Sequence, residues 1–168
     1  MISSHPVTVF IFEIYAVILL GGKIGTDAGM GTGTHRLNTF IGYMAGNAVS
    51  GTAPAASGNT YVGAYACGLG ASGEDNTCVG FNSGQTLSSV ASNNVYVGVA
   101  AGVRADNSRN CVGIGYLAGN TYPNGSAAKD STDLISIGYE ANESSIKRDH
   151  AIGIGFRAIS SADNAISI

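Results

Sequence analysis

One short pattern recurs along this chain and limits what it can fold into: Ile or Val, then Gly, two variable residues, and Ala or Ser. It appears eight times, with its glycines at Gly25, Gly42, Gly63, Gly80, Gly98, Gly115, Gly138 and Gly155. Successive glycines lie 17, 21, 17, 18, 17, 23 and 17 residues apart, so the base period is 17. A unit this short cannot bury a core alone and gains stability only by stacking on copies of itself. The residues Asn164–Ile168 open a ninth unit without its glycine, so the chain is expected to be a fragment, a processed product or the ordered part of something longer.

Each unit carries a strand signal. Three and one positions before the glycine stand Thr39/Ile41, Thr60/Val62, Thr77/Val79, Val95/Val97, Val112/Ile114, Ile135/Ile137 and Ile152/Ile154. This is period-two alternation of β-branched residues on one face, which we read as the interior face. The Ala or Ser three residues after each glycine suits a close approach of backbones, and the glycine itself allows a bend that a Cβ would block. Asn38, Asn59, Asn76 and Asn94 lead into the earlier strands, and Asn110, Asp133 and His150 stand one position further out in later ones. These are turn residues whose side chains satisfy turn backbone, so a ladder of them reads as structural.

Composition agrees with a β array. The chain has 25 Gly among 168 residues, 11% charged residues and 45% hydrophobic ones. A disordered chain is poorer in apolar residues and richer in charge. Glycine lacks the every-third-residue period of collagen. A formal charge of −3 provides no basic surface for nucleic acid. The expected fold is all-β, a parallel β-solenoid of about eight coils stacked at about 4.8 Å, on the order of 40 Å long.

Residues 23–168 form the repeat domain, and residues 1–22 differ from it. Val7–Leu20 is apolar apart from Thr8 and Glu13. At 14 residues it is shorter than the roughly 18–20 needed to span a membrane, and no Lys or Arg precedes it as in a secretory signal. It reads either as one or two strands completing the core or as an attachment segment that docks into a larger assembly.

The interior expected of each coil holds two large β-branched residues and one Ala, too little for a closed apolar core. A hexapeptide acyltransferase solenoid would place an aliphatic residue every six positions. Asn47 and Ala53 follow Ile41 at that spacing, and Asn120 and Ser126 follow Ile114, which disfavours such an enzyme. Neighbouring chains are therefore expected to complete the wall, and a homotrimer is the natural closure.

The string Asn-Thr-x-[Ile/Val]-Gly-x-x-Ala-Gly, as in Asn38–Gly46, resembles the left-handed β-roll heads of trimeric autotransporter adhesins, and more closely the related repeats of phage fibre proteins. The likeness spans about residues 24–168 and leaves out Met1–Gly22. It implies a trimeric, non-enzymatic virion fibre, an external appendage of a tailed phage that attaches to a host surface. The alternative it implies is the head of a bacterial adhesin on the cell surface. Other virion proteins, held through the N-terminal segment, and a host cell-surface glycan are the implied partners besides the homotrimer.

No catalytic constellation, metal site or cofactor motif emerges. His5, His35 and His150 sit in unrelated contexts, and His150 reads as an Asn-like turn residue rather than a general base. Gly29–Gly33 lacks the Lys-[Ser/Thr] of a phosphate loop. Thr39, Thr60 and Thr77 would stack as in an ice-binding face, but the column changes to Val95 and Val112. Cys67, Cys78 and Cys111 are too few and too irregular for a disulfide framework and read as buried small hydrophobes. The two long steps place insertions in 47–58 and 120–133. In the second, Tyr122, Asn124, Lys129 and Asp130 are the candidate receptor-contact residues, the competing reading being a plain spacer loop. An outward column of Phe40, Tyr61 and Tyr96, with Tyr43, Tyr65, Phe81, Tyr116, Tyr139 and Phe156, is expected to pack between chains or to stack on sugars.

Overall fold

The computed structural model describes residues 22–29, 37–47, 56–69, 73–119, 131–143 and 149–168. They form an all-β, parallel β-solenoid of about six turns, with no helix among the described residues. Nine short strands make one continuous sheet: β1 (Gly22–Ile24), β2 (Thr39–Ile41), β3 (Thr60–Val62), β4 (Thr77–Val79), β5 (Val95–Val97), β6 (Val112–Ile114), β7 (Ile135–Ile137), β9 (Ile152–Ile154) and β11 (Ile166–Ser167). A second pair, β8 (Asn142–Glu143) and β10 (Ile159–Ser160), lies on another wall. All pairings are parallel and in repeat register, so Val95 stands beside Val112 and Val97 beside Ile114. The seven of these strands from β2 to β9 in the large sheet are the ones the alternation before each glycine marks.

Backbone hydrogen bonds tie each turn to both neighbours. In the fifth unit Gly98 and Ala100 donate back to Val79 and Phe81, both at 2.8 Å. Val95 and Gly102 donate forward to Cys111 and Ala118, at 2.8 and 2.9 Å. Insertions interrupt this pattern without shifting it, because each glycine re-enters the same register.

Meeting both neighbours takes the backbone into the left-handed region at three points in most turns, one of them four residues after the repeat glycine, where Gly46, Cys67, Gly84, Gly102 and Gly119 have φ between 46 and 64°. A further one lies five residues before the glycine, where Asp75, Asn93, Asn110, Asp133 and His150 have φ between 54 and 57°. Asn, Asp and His accept this conformation more readily than other side chains. Another lies two residues after the glycine, where Met44, Ala100, Leu117 and Arg157 have φ between 52 and 55°. No shared chemistry marks that position. Its conformation is imposed by the amide that donates to the previous turn. Gly98, at φ 135°, is forced to be glycine on two counts: few side chains tolerate that backbone, and a Cβ there would collide with the Gly115 carbonyl.

The faces are inverted relative to the sequence expectation. Phe40, Tyr61 and Tyr96, expected outside, are buried at 0, 0 and 1% exposure. The β-branched columns expected inside point outward, with Ile41, Val95, Ile114 and Ile154 exposed. Parity decides this: the Asn four residues before the glycine points inward, so the residue two before it does too, and the flanking pair must face out. One chain thus covers its own described interior, and the wall expected from neighbouring chains is not what buries Ala45, Tyr61 or Ala101.

That interior is thin and filled by compensation. Opposite the Tyr96 ring stands Gly102, where a Cβ would lie 2.5 Å from the ring, and Gly113 and Gly119 in the next turn also give way to it. Phe40 has Gly46 in the same role and stacks on Tyr61 with ring centroids 5.1 Å apart. In β7 the ring is replaced by Ser136, which is fully buried.

A buried amide ladder runs up the first half. The Oδ1 of Asn38, Asn59, Asn76 and Asn94 accepts the backbone N–H of Asn59, Asn76, Asn94 and Cys111, at 2.8 to 3.1 Å. Each Nδ2 donates to a carbonyl on the opposite wall: Ala56, Gly73, Ala91 and Ser108. The ladder reading from sequence therefore holds, though its members lie inside rather than in the exposed turn. After Asn94 the column becomes Cys111, Leu134 and Ala151, all buried. Asn76→Ala should cost about 2–4 kcal/mol, since it strands buried donors of Asn94 and the Ala91 carbonyl. Urea denaturation checks this, and a loss below about 1 kcal/mol would contradict a buried ladder.

Candidate functional site: a charge-free face

The outward side of the large sheet is the most distinctive surface. Three columns run along it, at three before, one before and one after each glycine. They hold Thr, Val and Ile in the strands and Tyr43, Phe81, Val99, Tyr116, Tyr139 and Phe156 at the bend. None of these positions carries Asp, Glu, Lys or Arg in any of the eight units. Ile114 is 40% exposed, Tyr116 45% and Phe156 71%. Strand spacing of about 4.8 Å and about 3.3 Å per residue give this stripe a flat area on the order of 500 Å². That is the size of the largest apolar patch on a typical monomer, which is often a functional surface.

Polar residues border the stripe on both sides. Along one edge Arg157 Nε meets Glu140 Oε2 at 2.7 Å. Along the other, the corner side chains interlock: His150 Nε2 lies 3.2 Å from Asp133 Oδ2, and Asn110 Nδ2 donates to Asp133 Oδ1 at 2.9 Å. His150 thus occupies the corner role its position suggested. Apolar centre and polar rim together are the anatomy of a protein interface.

The bend aromatics form two short ladders. Tyr116, Tyr139 and Phe156 stack nearly face to face at 5.1 and 5.2 Å, and the Arg157 guanidinium lies 5.3 Å from the Phe156 ring centre. Tyr43, Tyr65 and Phe81 meet edge to face at 5.3 and 6.2 Å. Both faces of Tyr139 are covered by its neighbours, so it presents an edge to solvent. That leaves Tyr139 itself no free ring face for a sugar to stack on. The charge of Glu140 raises the Tyr139 phenol above its ordinary value, and the Tyr65 hydroxyl raises that of Tyr43. Both phenols are neutral at physiological pH, and the stripe stays uncharged.

The candidate receptor-contact residues Tyr122, Asn124, Lys129 and Asp130 lie outside the described residues, as do residues 1–21 of the N-terminal segment. Among the described residues, no group of three or more His, Cys, Asp or Glu is placed to hold a metal ion, and no helix is long and apolar enough to cross a membrane. A scan against protein-family models, and searches of curated proteins and of solved structures, find no match to this chain.

All three cysteines are free and buried, as small hydrophobes would be. Burial pushes the Cys67 thiol up to about 12, with the Tyr61 hydroxyl pulling slightly the other way. Burial also raises Cys78 well above its ordinary value, with Cys67 nearby adding to the effect. A raised acid pKa means the folded state holds its proton more tightly than the unfolded chain. The associated stability is complete below about pH 9 and is lost as pH rises towards 12. At pH 8 neither thiol should react with iodoacetamide until the chain is unfolded by urea, as mass spectrometry of the intact protein would show; prompt alkylation of the native protein would contradict their placement.

Proposed function

We propose that this chain is a non-enzymatic structural subunit of an external virion appendage, a trimeric tail or head fibre of a tailed phage that attaches to a host surface. The observation that carries the reading is the uncharged stripe along the sheet. It repeats at the strand spacing, so a second ladder of the same spacing matches its period. Three copies of this chain, each turning its stripe inward, remove about 500 Å² apiece from water. Eight coils of left-handed β-roll, one per sequence repeat, make up each strand of the rod in this reading.

The trimer differs from the one the sequence suggests in what it closes. Each solenoid fills its own interior with Ala, Gly, Asn and a few rings. Association covers the outside of the sheet instead. Adhesion then follows from multivalency, because three copies of a weak surface contact act together. The repeat pattern, with its likeness to phage fibre repeats, supports this reading over an isolated soluble domain.

Sedimentation equilibrium of the full chain tests it, with an expected mass three times that of the 16.9-kDa chain. Ile137→Asp, on the outward column of β7, should dissociate the trimer to monomers while leaving the β-sheet circular dichroism in place. A wild-type chain that sediments as a monomer, or a variant that stays trimeric, would contradict the proposal.

A further inference from the structure

The uncharged stripe changes in chemistry along its length. Three positions before the glycine, the outward side chain is Thr39, Thr60 and Thr77 in β2 to β4, Val95 and Val112 in β5 and β6, and Ile135, Ile152 and Ile166 in β7, β9 and β11. Parallel register stacks them as one column, so hydroxyls lie at one end of the sheet and the longest aliphatic side chains at the other. The middle column, one before the glycine, is Ile or Val throughout.

The bend column changes in the same direction. Among the early units it is broken at Ala64, and Tyr65 from the next position meets Tyr43 and Phe81 edge to face. In the late units Tyr116, Tyr139 and Phe156 follow one another and stack nearly face to face. Beside them Arg157 is held by Glu140 and lies over the Phe156 ring. Rings and a guanidinium already fixed by one another lose little freedom when a partner covers them. Tyr and Arg are also the residues in which binding energy concentrates.

The stripe removes about 500 Å² per copy from water, against roughly 800 Å² per partner in a standard interface. A contact of even quality over that area would be weak, so its richest part decides whether copies hold together. Direction matters as well. Copies related by rotation about the proposed fibre axis meet level for level, Ile135 against Ile135 and Thr60 against Thr60. A copy lying the other way would press Thr39 and Thr60 onto Ile152 and Ile135, burying hydroxyls against groups that cannot hydrogen-bond them. A chain of other sequence would need the same gradient at the same spacing, which a second copy carries by construction.

We propose that the occupant of the stripe is a second copy of this chain running in the same direction, anchored in the turns of β6, β7 and β9 with Ile135, Ile152, Tyr139, Phe156 and Arg157 as the hot spot. The inference rests on the trimeric fibre reading and adds where along the rod the copies grip one another. The threonine end is covered by the same association and contributes little to its strength.

Sedimentation equilibrium of full-length double variants, over a concentration series that yields the dissociation constant, tests this. Ile135→Ala with Ile152→Ala should raise that constant by about 30-fold or more, the size of a hot spot, and Thr39→Ala with Thr60→Ala by no more than about 5-fold. All four side chains lie on the outward columns, and circular dichroism checks that each variant keeps its β-sheet. If the isoleucine variant loses it, Phe156→Ala and Tyr43→Ala, both beyond the strands, give the same comparison, with the larger loss expected for Phe156→Ala. Equal losses at the two ends, or a larger loss at the threonine end, would overturn the anchor and leave the trimer standing. A wild-type chain that sediments as a monomer would overturn both.

Discussion

Each turn of this chain is bound on two sides by main-chain hydrogen bonds, and most of the remaining features follow from the need to make them. Amides must point alternately to the turn before and the turn after. The backbone therefore enters the left-handed region repeatedly in each turn, at the corner before the strand, two residues beyond the glycine and, in most turns, four residues beyond it. The glycine itself lies so close to its successor that no side chain fits between them. Such tight winding brings the walls together and leaves space for Ala and Gly, an amide, and a ring only where the facing wall gives way.

The thin interior explains how the chain dispenses with a conventional apolar core. Its large aliphatic side chains are spent on the outside of the sheet, where they form a ridge free of charge from end to end of the repeats. The ridge is bordered by the Arg157–Glu140 ion pair and by interlocking corner side chains. A protein that keeps its fold inward and its hydrophobicity outward is suited to assembly, and the proposed fibre uses both properties.

The repeat made the architecture legible: the glycine spacing gave parallel stacking, and the alternation before each glycine located every strand from β2 to β9 in the large sheet. The face was misread because β-branched side chains usually mark the buried side of a strand. The clue lay in Asn59 and Asn76, which are adjacent to the strands and can be buried only if the outer columns are the aliphatic ones. The second left-handed corner, occupied by residues as unlike as Met44, Ala100 and Arg157, has no compositional signature. Its conformation exists only in the stacked state. The stacking of Tyr139 between Tyr116 and Phe156 could have been anticipated, since equal positions in adjacent turns fall about 5 Å apart.

The placement of faces on the sheet is the claim on which the rest stands, and two adjacent residues of β5 test it. Tyr96→Asp and Val97→Asp differ by one position and should differ completely in outcome. Circular dichroism of the purified variants should show the β signal lost for Tyr96→Asp, which buries a charge in the interior, and kept for Val97→Asp, which places it outside. A folded Tyr96→Asp beside an unfolded Val97→Asp would mean the sheet faces the other way.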